Sequence, residues 1–235
     1  MTIALVVQGG VGPTIAEPPP YLTAGALAPR RHEDYYFDDG TLVVLVSGTL
    51  FRLWDGAFRR HAPAFPRADK LTGSDDAHPL VLAGVECADF ERLLWVVYPP
   101  VIGQCKAKTS ADWTAVLDLA TRWGCADVRA LAIRELGALR CETAEMAAAD
   151  KKTEKEPKMP AVEKIALAQR FDIPRAWARG AYEALCARND SLELAEATML
   201  GLETVVKVAF ARCVGLLRVS WRKTTVDVLW SFALN

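Results

Sequence analysis

Histidine is scarce in this chain of 235 residues: it stands only at positions 32, 61 and 78. None of the three falls in H-E-x-x-H or another spacing that would set two ligands on one helix face, so no metalloprotease-like centre is legible. His32 has Glu33 and Asp34 beside it and His78 follows Asp75 and Asp76, yet each reads as a surface residue of a polar segment. The six cysteines, at 87, 105, 125, 141, 186 and 213, include no C-x-x-C pair and no Cys/His cluster with zinc-finger spacing. Cys125, Cys186 and Cys213 lie among helical apolar residues, where a thiol behaves as a small hydrophobe, and a reduced, intracellular chain is expected.

Excess charge of one sign is missing as well. Lys plus Arg number 28 against 29 Asp plus Glu, a net charge of -1, so no global field draws in nucleic acid or an anionic membrane. No apolar run approaches the roughly 20 residues of a membrane span. Ile3 to Val7 is a five-residue run without a basic flank, a poor signal peptide. Gly10 and Gly12 suggest a nucleotide loop, but Ile15 occupies the third glycine position and Pro18 to Pro20 block the helix that would receive phosphate. There is no G-K-[ST], no G-x-S-x-G and no repeat of fixed period. Paired carboxylates such as Asp38/Asp39 and Asp75/Asp76 sit in turn-like stretches that favour Asp for backbone reasons. No cofactor, no small-molecule substrate and no catalytic role are expected.

What the chain does have is core-forming material: 51% hydrophobic residues against 24% charged. After a Pro-rich flexible leader over 1–30, the pattern predicts a β-meander: "HEDYYF", the turn "DDG", the buried strand "TLVVLV", the turn "SG" and the strand "TLFRL". Asp55 is placed to start a short helix that Pro63 limits, residues 66 to 78 read as a loop, and "PLVL" reads as another strand. Phe90, Leu93, Leu94 and Val97 mark a helix that Pro99 ends. Ser110 is the expected N-cap of the next, whose face carries Trp113, Val116, Leu117 and Ala120; Val128, Leu131, Ala132 and Leu136 mark another. Residues 141 to 159 read as a charged, solvated linker.

Helical periodicity returns over 160 to 215. One stripe carries Trp177, Ala181, Ala184 and Leu185, a second carries Leu202, Val205, Val206 and Ala209, and Asp190 with Glu193 resembles a capping box between them. The tail, 216 to 235, alternates Val226, Val228, Trp230 and Phe232 as a strand would, and an unpaired strand this apolar is an association hazard. Strands before helices give an α+β fold class: a small β-sheet with a cluster of α-helices beside it, then a helical C-terminal extension. Phe51, Phe58 and Phe65 recur every seven residues, which is expected to turn them inward and leave Arg59 and Arg60 outside; Trp95, Trp113, Trp123 and Trp177 are expected in the core.

In this order the motifs resemble the BTB/POZ family. "LFRLWDGAFRRHAPAF" is similar to its core signature, and "HPLVLAGVECADFERLLWVVYPP" with "WTAVLDLATRWGCADVRALAI" to a subgroup common in mushroom-type fungi. "EKIALAQRFDIP" and "LGLETVVKVAFAR" are similar to the helical region that follows there, so the resemblance covers roughly residues 31 to 212, with the domain itself at 31–140. It implies a non-catalytic interaction module, commonly a homodimer, that recruits protein partners through its outer surfaces. The residues it singles out are Thr41, Trp54, Asp55, Arg59, Arg60, Ile102 and Gln104. Thr41 stands where the family often has aspartate and Asp55 where it often has a basic residue, so the charged pocket of repressor members is not expected. Ile102-Gly103-Gln104 occupies the loop where cullin-binding members carry an apolar-x-Glu motif, which makes a cullin ubiquitin-ligase scaffold an alternative partner. A nucleic-acid-binding regulator using Arg30, Arg31, Arg59 and Arg60 is a further alternative, with salt-dependent affinity as its signature.

Overall fold

The structure, a computed structural model, describes residues 28–67, 72–101, 104–141, 158–188 and 190–216. The nucleotide-loop candidate, most of the charged linker and the alternating tail lie outside the described residues. The described chain forms two compact units, residues 28–55 with 66–85 and residues 56–65 with 86–216.

The first unit is a four-stranded sheet in the order β1-β3-β2-β4, from β1 (Arg30–Tyr36), β2 (Leu42–Val46), β3 (Thr49–Leu53) and β4 (Leu80–Val81). All five residues of β2 are buried, as its unbroken apolar run implies for a strand covered on both faces. β2 and β3 form an antiparallel hairpin with Val46 opposite Thr49. Its two-residue turn places Ser47 at φ 45° and Gly48 at φ 78°, the left-handed pair that matches strand twist. The Ser47 hydroxyl donates to the Val85 carbonyl at 3.0 Å, which helps hold a non-glycine residue in that conformation.

The predicted meander is corrected here. β1 pairs with β3, not β2, and runs parallel to it, with Arg31 opposite Leu50. The "DDG" segment therefore carries the chain past the end of β3. Phe37 N–H donates to Arg52 O at 2.9 Å and Thr41 N–H to Leu53 O at 2.8 Å, pinning both ends of the crossing. Gly40 is needed there because a Cβ would come within 2.9 Å of the Arg52 backbone. The polar loop is tied back as well: the Asp76 carboxylate accepts from Arg31 at 2.7 Å and from the Tyr36 hydroxyl at 2.6 Å. Asp75 accepts from the backbone N–H of Ala77 and His78, the local role expected of a turn aspartate. His32 departs from expectation: it is half-buried, stacked on Phe51 at 4.7 Å, and its Nδ1 accepts from the backbone N–H of Asp34 and Tyr35.

The second unit comprises α1 (Asp55–His61, from its second residue), α2 (Cys87–Val97), α3 (Ser110–Arg122), α4 (Ala126–Ala138), α5 (Ala161–Arg170), α6 (Arg179–Ala187), α7 (Leu194–Leu200) and α8 (Leu202–Leu216). A two-residue pair of strands, β5 (Arg140–Cys141) and β6 (Lys158–Met159), and a 3-10 turn at Arg175–Ala178 complete it. α2 ends at Val97 because Tyr98, before Pro99, leaves the helical region at φ -130° and ψ 69°. α3 is capped by Thr109, not Ser110: its side chain accepts from Asp112 N–H while Asp112 accepts from Thr109 N–H. Burial pushes the Asp112 carboxyl up, but the Thr109 bonds and that from Arg92, 2.9 Å away on α2, outweigh it and leave Asp112 below the usual range.

Phe51, Phe58 and Phe65 are all buried, but not on a shared face, because they lie on a strand, a helix and a turn. Trp113 and Trp123 are core residues, whereas Trp95 and Trp177 are half-buried, each with its indole N–H donated, to Glu91 and to the Ile133 carbonyl. The end of the expected linker is also corrected: Met159 is fully buried, in a strand bonded to β5. From there the helical extension is bound to α4. The buried Lys164 ammonium donates to the Gly137 and Leu139 carbonyls at 3.1 and 3.3 Å and lies 5.0 Å from the Trp177 ring centroid. It thus satisfies orphan carbonyls at the negative end of α4.

Two expectations for the last helices change. The capping box is Glu193 with Glu196, three residues beyond the predicted one, while the Asp190 carbonyl is taken by Arg212 at 2.9 Å. The stripe of Leu202, Val205, Val206 and Ala209 faces outward; α8 buries Thr204, Val208 and Ala211 instead.

Arg188 donates to both oxygens of Glu196, at 2.7 and 2.6 Å, and with the Glu193 N–H this holds the Glu196 carboxyl down at about 2. A folded value below the ordinary 4.5 adds stability that is complete above the ordinary value and fades as pH falls through about 2. Urea midpoints are expected to fall across that acid window in the unsubstituted chain, and to fall less steeply in Glu196→Gln. An identical pH slope in the variant would show that this pair contributes nothing.

Candidate interaction surface

Short as it is, α1 is well specified at both ends. Thr41 Oγ1 accepts from the Asp55 N–H at 3.1 Å, Asp55 puts a negative charge in the first turn, and Arg59, Arg60 and His61 put positive charge in the last. Phe58 is its buried residue, set against Phe65 at 4.4 Å and Phe90 at 6.4 Å between ring centroids. Trp123 closes the cluster edge-on, 4.9 Å from Phe65 and 5.9 Å from Phe90. "H-A-P-A-F" folds as a turn over this cluster: Ala62 is buried, and Ala64 N–H donates to the Trp123 carbonyl at 3.1 Å.

Beside α1, toward α2 and α4, lies an open groove of about 330 Å³. Its walls are apolar, with Ala57 and Phe58 from α1, Val96 and Val97 from α2, and Val128 and Leu131 from α4. The polar side chains lining it are His61 and Asp127, whose Nδ1 and Oδ2 meet at 3.3 Å, both largely exposed. Cys125 also lines the groove, buried, and burial pushes its thiol up, so it stays protonated. No thiol–imidazole hydrogen bond joins it to His61. The trio therefore lacks the ionised sulfur and the base contact that a cysteine nucleophile needs. Among the described residues, no group of three or more His, Cys, Asp or Glu is placed to hold a metal ion, and no helix is long and apolar enough to cross a membrane.

The residues singled out in the sequence fall into three places. Thr41, Trp54 and Asp55 gather at the end of the sheet, where Thr41 is a capping residue and Trp54, 36% exposed, stacks on Phe37 at 4.1 Å and 13°. Arg59 and Arg60 are exposed on α1, as expected. Gln104 is exposed in the turn after α2, where its N–H donates to Val101 O at 3.1 Å; Ile102 lies outside the described residues. Of the arginines considered for nucleic acid, Arg31 is engaged by Asp76 and lies over the Tyr36 ring at 4.5 Å. The groove itself was missed. Val97, Val128 and Leu131 have the spacing of core residues, and His61 has its acidic neighbour 66 positions away. Neither property is visible in a local pattern.

In comparison with known proteins, no family model matches the chain, and no curated protein is significantly similar to it. The BTB/POZ resemblance rests on the motifs quoted above.

Proposed function

We propose that the chain is a non-catalytic protein-interaction module of BTB type that self-associates and recruits a protein partner. The observation that carries this reading is the open apolar groove beside the exposed face of α1, whose charged-type side chains are one His–Asp pair on the rim and whose Cys125 thiol is buried and protonated. Such a groove offers desolvation to an apolar side chain and a polar edge to fix its orientation, the division of labour of a binding surface. The ordered motifs from Tyr35 to Pro100 support the same reading.

Sedimentation velocity on the full chain at micromolar concentration is expected to give a dimer, and a strictly monomeric species removes self-association. Val97→Asp with Leu131→Asp places charge in the groove and is expected to reduce partner capture at least about tenfold, the scale of burying an unpaired charge. Capture unchanged by that pair would sink the groove as the contact surface.

The exposed Gln104, in the loop where the resemblance puts a glutamate, favours a cullin-adaptor role as second reading. Its amide keeps hydrogen-bonding capacity without the charge. A pull-down that retains cullin only after Gln104→Glu would show a lapsed adaptor, and one that retains it without substitution would support this reading directly.

A further inference from the structure

The walls of the groove decide what shape of partner can lie in it. Its lining residues belong to α1, α2 and α4 or, as Ala62 and Cys125, stand at their ends. The backbone groups of those two are already engaged. Ala62 N–H donates to Phe58 O at 2.9 Å and Cys125 N–H to Ala120 O at 2.8 Å, while their carbonyls accept from Phe65 and Arg129 N–H at 3.0 and 2.8 Å. An extended peptide laid here would lose water from N–H and C=O groups and gain no main-chain partner in return. A helix brings its own backbone bonds with it. We infer that the groove receives an amphipathic helix of a partner protein, with two apolar side chains one turn apart inside it and an acidic residue beside them on the α1 side. This occupant rests on the groove being the contact surface, and it specifies the chemistry of what binds there.

Size and charge select the same occupant. About 330 Å³ stands at the lower end of the range of small-molecule sites, and in an open groove it suits side-chain anchors better than a ligand enclosed on all sides. Apolar residues at i and i+4 of a helix are the usual way of filling such a trough. The charge is set by α1. Ala57 and His61 line the groove, and Arg60, three residues beyond Ala57, is exposed on the same edge of the helix. Asp127, the carboxylate of the lining, is engaged by His61 at 3.3 Å. An incoming helix therefore meets a guanidinium at this lip. Along the opposite wall, residues 96 to 100 read Val-Val-Tyr-Pro-Pro and carry no charge. The complementary helix is thus acidic on one flank and neutral on the other, which also fixes its direction of roll in the groove.

The test is a displayed library of random peptides, each about fifteen residues long so that a helix is within reach of the free chain, selected on the full protein. Groove binders are the clones lost on Val97→Asp with Leu131→Asp and also on Ala57→Phe, an uncharged variant that fills the groove from α1 should the charged pair fail to fold. These clones are expected to carry apolar residues three or four apart with Asp or Glu on one flank. By fluorescence anisotropy, a proline placed between the two anchors is expected to weaken binding at least about tenfold. Arg60→Glu is expected to weaken the same peptides about fivefold, and to bind better than the unsubstituted chain does once their acids are changed to lysine. Groove binders that tolerate the proline, or that ignore Arg60→Glu, overturn the acidic helix while leaving the groove as a contact surface. A selection that yields no groove binder sinks that surface, and the helix with it. A dimer that Ala57→Phe dissociates assigns the groove to a second copy and overturns the partner helix too.

Discussion

Replacing Phe58 with alanine is expected to destabilise the protein by about 3–5 kcal/mol, the usual cost of deleting a buried aromatic ring. Phe58 is 3% exposed and is the buried side chain of α1, so it is the helix's main attachment. Its ring meets Phe65 at 4.4 Å, Phe90 at 6.4 Å and Tyr98 at 6.3 Å, and removal opens a void inside the aromatic cluster. Because Phe58 also lines the groove, some of that void can fill with water, which places the expected value toward the lower end of the range. The check is a urea titration followed by far-ultraviolet dichroism, with a lower midpoint and an unchanged slope. Arg60→Ala, on the exposed side of the same helix, is expected to change stability by less than about 0.5 kcal/mol. A loss below about 1 kcal/mol at Phe58 would mean that the cluster does not hold α1, and with it the proposed interaction surface.

The contrast between these two positions shows what was legible in the sequence. Phe58 and Arg60 were sorted correctly into buried and exposed, though the heptad spacing behind that sorting was not a physical cause. Residue type decided the matter: an aromatic ring gains from burial wherever it sits, while an arginine head is costly to desolvate. Element identity over 87–97, 110–122 and 126–138 was legible for a sounder reason, since a 3.6-residue period is created by the helix itself. Strand order was not. A run such as "TLVVLV" states that a strand is covered, but says nothing of which neighbour covers it, and β3 inserting between β1 and β2 depends on a crossing at Gly40 that no local pattern records.

The α8 stripe failed for a related reason. Leu202, Val205, Val206 and Ala209 have the periodicity of a core face, and so do Thr204, Val208 and Ala211 on the opposite side. Given two candidate faces, periodicity cannot say which one α8 presents to its neighbours. The small face was taken inward because Ala211 and Thr204 permit close approach, and Gln169 Nε2 reaches the Thr204 hydroxyl at 2.6 Å. The larger residues Leu202 and Val206 were thereby left on the outer side, 80% and 57% exposed.

Arg212 fixes that choice, and its replacement by methionine is the other large effect expected. From α8 its guanidinium donates to the Leu185 carbonyl at 2.7 and 3.2 Å, to Arg188 O at 2.9 Å and to Asp190 O at 2.9 Å. These acceptors lie at and just beyond the C-terminus of α6, where carbonyls are left without intrahelical partners and the helix dipole is negative. Arg188, so anchored, presents its own guanidinium to Glu196 at the start of α7. One side chain therefore joins α6, the turn and α8. Methionine keeps much of the volume and removes every donor, and about 2–4 kcal/mol is expected to be lost, as for several charge-assisted bonds broken together. Arg212→Lys should recover only part of this, because an ammonium is a point charge that cannot span the three carbonyls as the planar fork does. The urea midpoints should thus rank Arg212, Lys, Met, with α8 amides losing exchange protection before those of α2 and α3. Equal midpoints for all three would mean that water serves these carbonyls as well as the guanidinium does, and that the inward face with Thr204, Val208 and Ala211 is enough to hold α8.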